Sequence, residues 1–104
     1  MTELIYRTKG AMGIAWAEIA AGRDVALIVT GWRRGAVYRV ISSYSRYLEL
    51  SKTTRAPFSL ATKIAWQSLF APSIVGLCEH ARQFRFKVSA KGEGDALKVK
   101  FEKQ

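Results

Sequence analysis

FRFKVSAKGEGDALKVKFE, residues 84–102, alternates apolar and polar side chains with a period of two. Phe84, Phe86, Val88 and Ala90 stand against Arg85, Lys87, Ser89 and Lys91, and then Leu97, Val99 and Phe101 against Lys98, Lys100 and Glu102. Successive side chains of a strand point to opposite faces, so this alternation describes two strands that are each apolar on one side. The Gly92-Glu93-Gly94-Asp95 stretch between them has the residues a tight turn needs. The segment therefore predicts a β-hairpin with one apolar face and one basic face. The rest of the chain must cover the apolar face.

Immediately upstream the period changes to that of a helix. Pro57 can open a helix, and Phe58, Ala61, Ala65 and Leu69, joined by Leu60 and Ile64, recur at helical spacing up to about residue 70. Pro72 stops that helix. Ser73 is placed to cap a second one, whose Ile74, Leu77, Cys78 and Ala81 form an apolar stripe with Glu79, His80, Arg82 and Gln83 left polar. Trp66 falls off the Phe58–Leu69 stripe, beside Ser59, Thr62, Lys63 and Phe70. It is either a second buried face or exposed for a partner, and Trp66 with Phe70 is the first candidate for a homodimer contact.

Nearer the N-terminus, residues 3–7 read as a short strand ended by Thr8-Lys9-Gly10. Residues 11–21 read as a helix followed by Gly22 as its C-cap. Glu18 is its only charge, which suggests burial on two sides. The branched run from Val25 to Thr30 suits a central strand. Gly31-Trp32-Arg33-Arg34-Gly35 then resembles a hairpin connection, with residues 36–42 as the partner strand. In that strand Tyr38 and Val40 face one way, and Val37, Arg39 and Ile41 the other. Residues 44–50 read either as a helical turn or as a further strand, and their tyrosines with the serines around them favour the strand. The expected fold class is α+β: a single compact domain over residues 1–104, with an antiparallel or mixed sheet, a basic C-terminal hairpin and two or three short helices packed on one face.

Composition agrees with a folded chain. The 104 residues are 49% hydrophobic and 12% aromatic, with mean hydropathy near zero, enough for one core without disulfides. Cys78 is the sole cysteine and has no internal partner, which points to a reducing compartment and a cytoplasmic location. Residues 10–32 are mostly apolar, but Glu18, Arg23 and Asp24 interrupt them, so no membrane span is expected. The first 22 residues imitate a signal peptide only faintly. Glu3 and Glu18 sit in the wrong places for one, and the segment is taken as part of the fold.

The charge is the strongest pointer to partners. Seventeen Lys and Arg against eight Asp and Glu give +9, and self-repulsion on that scale is relieved when a polyanion supplies counter-charge. Residues 32–55 gather Arg33, Arg34, Arg39, Arg46, Lys52 and Arg55 with Trp32, Tyr38, Tyr44 and Tyr47, against Glu49 alone. Cations grip phosphates, flat side chains stack on unpaired bases, and the neighbouring serines and threonines can donate to phosphate oxygens. A second basic surface is expected on the hairpin from Arg85, Lys87, Lys98 and Lys100, all opposite the phenylalanines. With no helix in this reading rich enough in bases to enter a groove, single-stranded DNA or RNA is favoured slightly over duplex.

The same mixture of Tyr, Trp and Arg also makes protein interfaces. The alternative is therefore a small interaction or inhibitor protein that recognises an acidic surface of a partner protein. Catalysis, a cofactor and a metal are not expected. Cys78 and His80 are two apart on a helix and point in different directions. A nuclease would need Asp24 or Asp95 to meet Glu18, Glu49 or Glu79 in space.

Overall fold

The computed structural model describes residues 1–53, 57–69 and 71–104. Its elements run β1 (Thr2–Ile5), α1 (Ala11–Ala20), β2 (Val25–Val29), α2 (Arg33–Thr53), α3 (Phe58–Ser68), α4 (Pro72–Gln83), β3 (Phe86–Glu93) and β4 (Ala96–Lys103). The four strands form one mixed sheet in the order β1-β2-β4-β3, with the helices on one side of it. The class is α+β, as the sequence suggests. β1 and β2 are parallel, which requires the crossover that α1 provides, while β4 is antiparallel to both β2 and β3.

The hairpin organises the core. Val88 pairs with Phe101 and Ala90 with Val99, and Phe101 and Val99 pair in turn with Val25 and Leu27 of β2. These side chains share the inner face. Ile19, Val37, Val40, Ile41, Tyr44, Ile74, Leu77, Cys78 and Ala81 cover it from α1, α2 and α4. A two-residue turn joins the strands, and Gly94 takes φ +59°, a backbone conformation in which a side chain would be strained. β3 begins at Phe86, not at Phe84. Phe84 instead closes α4, because Arg85 adopts φ +60° and breaks the extended backbone between them.

The main correction concerns residues 32–53. The anticipated hairpin connection, partner strand and further strand are one 21-residue helix, α2. Ala36, Val37, Val40, Ile41 and Tyr44 are buried while Arg34, Tyr38, Arg39, Ser42, Ser45 and Arg46 are exposed, which is the alternation of a 3.6-residue period and not of a two-residue one. As a strand, the same residues would have set Arg39 beside Val37 and Ile41. The covering of the sheet's apolar face outweighs the weak strand preference of branched and tyrosine side chains. The helices thus number four among the described residues, and α2 is about 31 Å long.

Smaller departures follow the same logic. α1 buries Ala11, Ala15 and Ile19 only, leaving Ile14 and Trp16 about half exposed, so it is buried on one side and not on two. α4 starts at Pro72 with Ala71 before it, and Ser73 lies inside the first turn. Among the described residues no helix is long and apolar enough to cross a membrane.

Candidate functional site

The residues expected to form one basic surface are distributed by α2 over three regions. Arg33 turns inward: its Nε is buried without a hydrogen-bond partner, its guanidinium carbon lies 5.2 Å from the Trp32 ring centre, and it faces Tyr6, whose phenol is raised by burial and opposed by this cation. Arg34 donates from Nη1 to the Asp95 carbonyl in the hairpin turn. Trp32 remains exposed. Arg39 lines a cleft of about 250 Å³ with Ala36, Trp66 and Gln67, and Arg46 lies against α3 beside Leu60 and Lys63. Tyr44 is in the core and Tyr47 is half-buried, so neither offers an open stacking face. Arg55 and Phe70 lie outside the described residues.

The hairpin cations divide as well. Lys98 and Lys100 point to the outer sheet face, where Lys98 Nζ meets Glu3 Oε1 at 3.4 Å and is largely covered. Arg85 precedes β3 and does not share a face with Lys98 and Lys100.

Three of the expected residues do converge. Lys52 near the end of α2 borders two adjoining clefts of about 670 and 270 Å³, which share Leu48, Lys52, Arg82, Phe86 and Gln104; Arg85 at the α4–β3 junction lines the larger, and Lys87 edges the smaller from the outer sheet face, where it stands opposite Glu102. Arg82 joins them from the last turn of α4. Lys103 stands nearby, its Nζ 5.3 Å from the Phe86 ring centre and bonded to the Phe84 carbonyl at 2.8 Å. Arg82 and Lys103 escaped the sequence reading because they are scattered in the chain. The signal available was their position at the end of the helix and of the strand that flank Arg85.

The clefts hold acids as well as cations, with Glu49 lining the smaller one alongside Lys52. Arg82 Nη2 pairs with Glu79 at 2.9 Å. The Tyr44 hydroxyl and then Arg82 hold the Glu79 carboxyl below the ordinary carboxylate range, although burial opposes them. The same carboxylate, after burial, raises the Tyr44 phenol. No ion pair to Lys52, Arg85 or Lys87 forms among the described residues. Arg85 is also strained. A side chain at φ +60° after a helix occupies the place where glycine is usual, at a cost of about 1 kcal/mol. Backbone strain of this kind clusters at working sites.

Cys78 forms part of the inner wall of the smaller cleft. It is 1% exposed, and burial pushes its thiol up to about 12. A folded value above the unfolded one means stability that is complete below the unfolded thiol's pKa, ordinarily about 8.5, and that is lost as pH rises towards 12. At pH 8 a disulfide reagent is expected to leave Cys78 intact in native protein and to modify it at the unfolding rate. Rapid stoichiometric modification without unfolding would contradict its burial.

His80 stacks on Trp16 with ring centres 3.9 Å apart, and its Nε2 lies 3.0 Å from the Trp16 carbonyl, which fixes the proton on that nitrogen. Asp24 accepts the Lys103 N–H at one end of β4, and Asp95 lies just beyond the other end, roughly 26 Å away along the strand. No group of three or more His, Cys, Asp and Glu that would hold a metal gathers among the described residues. No family model, curated protein or solved structure matches the chain.

Proposed function

We propose that the chain binds nucleic acid by its phosphate backbone, in the cleft between α2, α4 and β3. The observation that carries this reading is the gathering of Lys52, Arg82, Arg85 and Lys87 along two adjoining clefts, where Glu49 lines the smaller and Lys52, Arg85 and Lys87 form no ion pair among the described residues. Cations gathered along a concave surface steer and grip a polyanion, here in excess over the acids beside them, Glu49 and Glu79. Burial of Tyr44 and half-burial of Tyr47 remove two of the stacking surfaces that favoured a single strand. The exposed side of α2, with Arg34, Tyr38, Arg39, Arg46 and Lys52 along its length, favours a duplex backbone.

Amide chemical-shift mapping with a short DNA duplex tests this reading. The largest changes are expected at Lys52, Arg82, Arg85 and Lys87. Changes centred on Lys91, Lys98 and Lys100 would move the site to the outer sheet face and overturn the assignment.

The strained arginine gives a sharper test. Arg85→Gly is expected to stabilise the fold by only about 0.5 kcal/mol, because the strain that glycine relieves is partly offset by its larger unfolded-state entropy. Duplex affinity is expected to fall in the same protein. A variant both less stable and equally tight would show that Arg85 is held in place for packing.

A further inference from the structure

The apolar stripe of α3 faces solvent. Phe58, Ala61, Thr62, Ala65 and Leu69 fall within about 100° of the helical wheel, and all five are exposed, Phe58 at 87% and Leu69 at 65%. Trp66, 67% exposed, lies along the margin. Inward the helix sends Ile64, buried, with half-buried Leu60, Gln67 and Ser68, and Gln67 Oε1 accepts the Ser43 hydroxyl at 3.0 Å. The stripe carries no charge, on a protein of net charge +9. Contiguous exposed apolar surface of this kind marks an interface.

We propose that its occupant is a second copy of the same chain, the two α3 helices packing antiparallel about a two-fold axis between residues 63 and 64. The pattern is self-complementary under that operation. Phe58 faces Leu69 of the second copy, Ala61 faces Trp66, and Thr62 faces Ala65. Large side chains meet at the ends, while small residues in the middle let the backbones approach.

Charge selects the same occupant. An acidic partner is drawn to the clefts and sheet cations, whereas two copies of a +9 chain can meet across the uncharged stripe without bringing cations face to face. Phe58 and Trp66 offer roughly 300 Å² per copy, and Leu69 with the alanines brings the total from both copies to about 800 Å². A polar rim is needed to reach the roughly 1,200 Å² of a stable interface, so association is weak and reversible. Salt strengthens it by screening the repulsion between copies, opposite to its effect on nucleic-acid binding. The dimer does not depend on the nucleic-acid reading.

Sedimentation equilibrium in about 1 M salt, where the screening length is about 3 Å, is the test. The native mass is expected to rise from 11.6 kDa towards twice that value as concentration increases, and Phe58→Glu with Trp66→Glu to stay at the monomer mass with an unchanged circular dichroism spectrum, since both side chains are exposed. A short bismaleimide is expected to join Thr62→Cys chains and not Lys91→Cys chains, the native Cys78 being buried. A native chain that stays monomeric, a Phe58→Glu/Trp66→Glu variant that still dimerises, or equal cross-linking at residues 62 and 91 would overturn the proposal.

Discussion

Reversing the three unpaired cations of the cleft, Lys52→Glu with Arg85→Glu and Lys87→Glu, is expected to weaken duplex binding by about 10²–10³-fold at 0.1 M salt. Each phosphate neutralised contributes about 0.9 to the log–log salt slope, so three lost contacts remove close to three decades relative to 1 M salt. Each reversal changes the charge by two, taking the net charge from +9 to +3. The effect must therefore be separated from simple loss of charge. Lys91→Glu with Lys98→Glu and Lys100→Glu on the outer sheet face also gives +3, and this variant is expected to keep most of the affinity. Oligonucleotide titration of both proteins distinguishes them: equal losses would mean that binding follows total charge and has no site. Lys52, Arg85 and Lys87 are exposed, so reversal leaves the core untouched.

Phe101→Ala is expected to cost about 3–5 kcal/mol, out of a total of about 5–15 for a domain. Phe101 is fully buried, the largest such side chain among the described residues. It stands where β4 meets both β2, opposite Val25, and β3, opposite Val88. Truncation leaves a cavity between the sheet and its helical cover, because three elements held in register cannot collapse into it. At about 4–8 °C per kcal/mol for a chain of this size, the melting temperature falls by at least 12 °C. A thermal melt followed by circular dichroism reads this directly. A fall of only a few degrees would place Phe101 outside the main core. Trp66→Ala, on exposed α3, is expected to leave the monomer's melting temperature within a few degrees and serves as the contrast.

These two outcomes rest on parts of the chain that were unequally legible. The hairpin was legible because an apolar face at period two has one structural solution, and its register sets the inner face of β2 as well. α4 was legible through Ile74, Leu77, Cys78 and Ala81, all buried as expected. α2 was misread because Val37, Val40, Ile41 and the tyrosines suit a strand in isolation. The ladder of Ala36, Val37, Val40, Ile41, Tyr44 and Leu48 was helical throughout, and the strand reading had already shown its defect by placing Arg39 among apolar neighbours.

The candidate site was legible in kind and not in place. Lys52, Arg85 and Lys87 could be named from charge alone, but their meeting depends on α2 running as a helix, so that residue 52 ends beside the start of β3. Arg82 entered only with the structure. Periodicity revealed the Phe58, Ala61, Ala65, Leu69 stripe but not which way it faces. That direction depends on whether the remaining elements already fill the sheet's apolar side, and α1, α2 and α4 do so.

The most direct measurement is fluorescence anisotropy of a labelled DNA duplex titrated with the native protein at several salt concentrations, with a single strand of the same sequence and heparin as competitors. Micromolar or tighter binding is expected, with a log–log salt slope of about −4 to −5, as for some five neutralised phosphates, and with duplex preferred to heparin at equal charge. No binding near physiological salt, or displacement by heparin as readily as by duplex, would contradict nucleic-acid binding and turn the +9 surface towards an acidic protein.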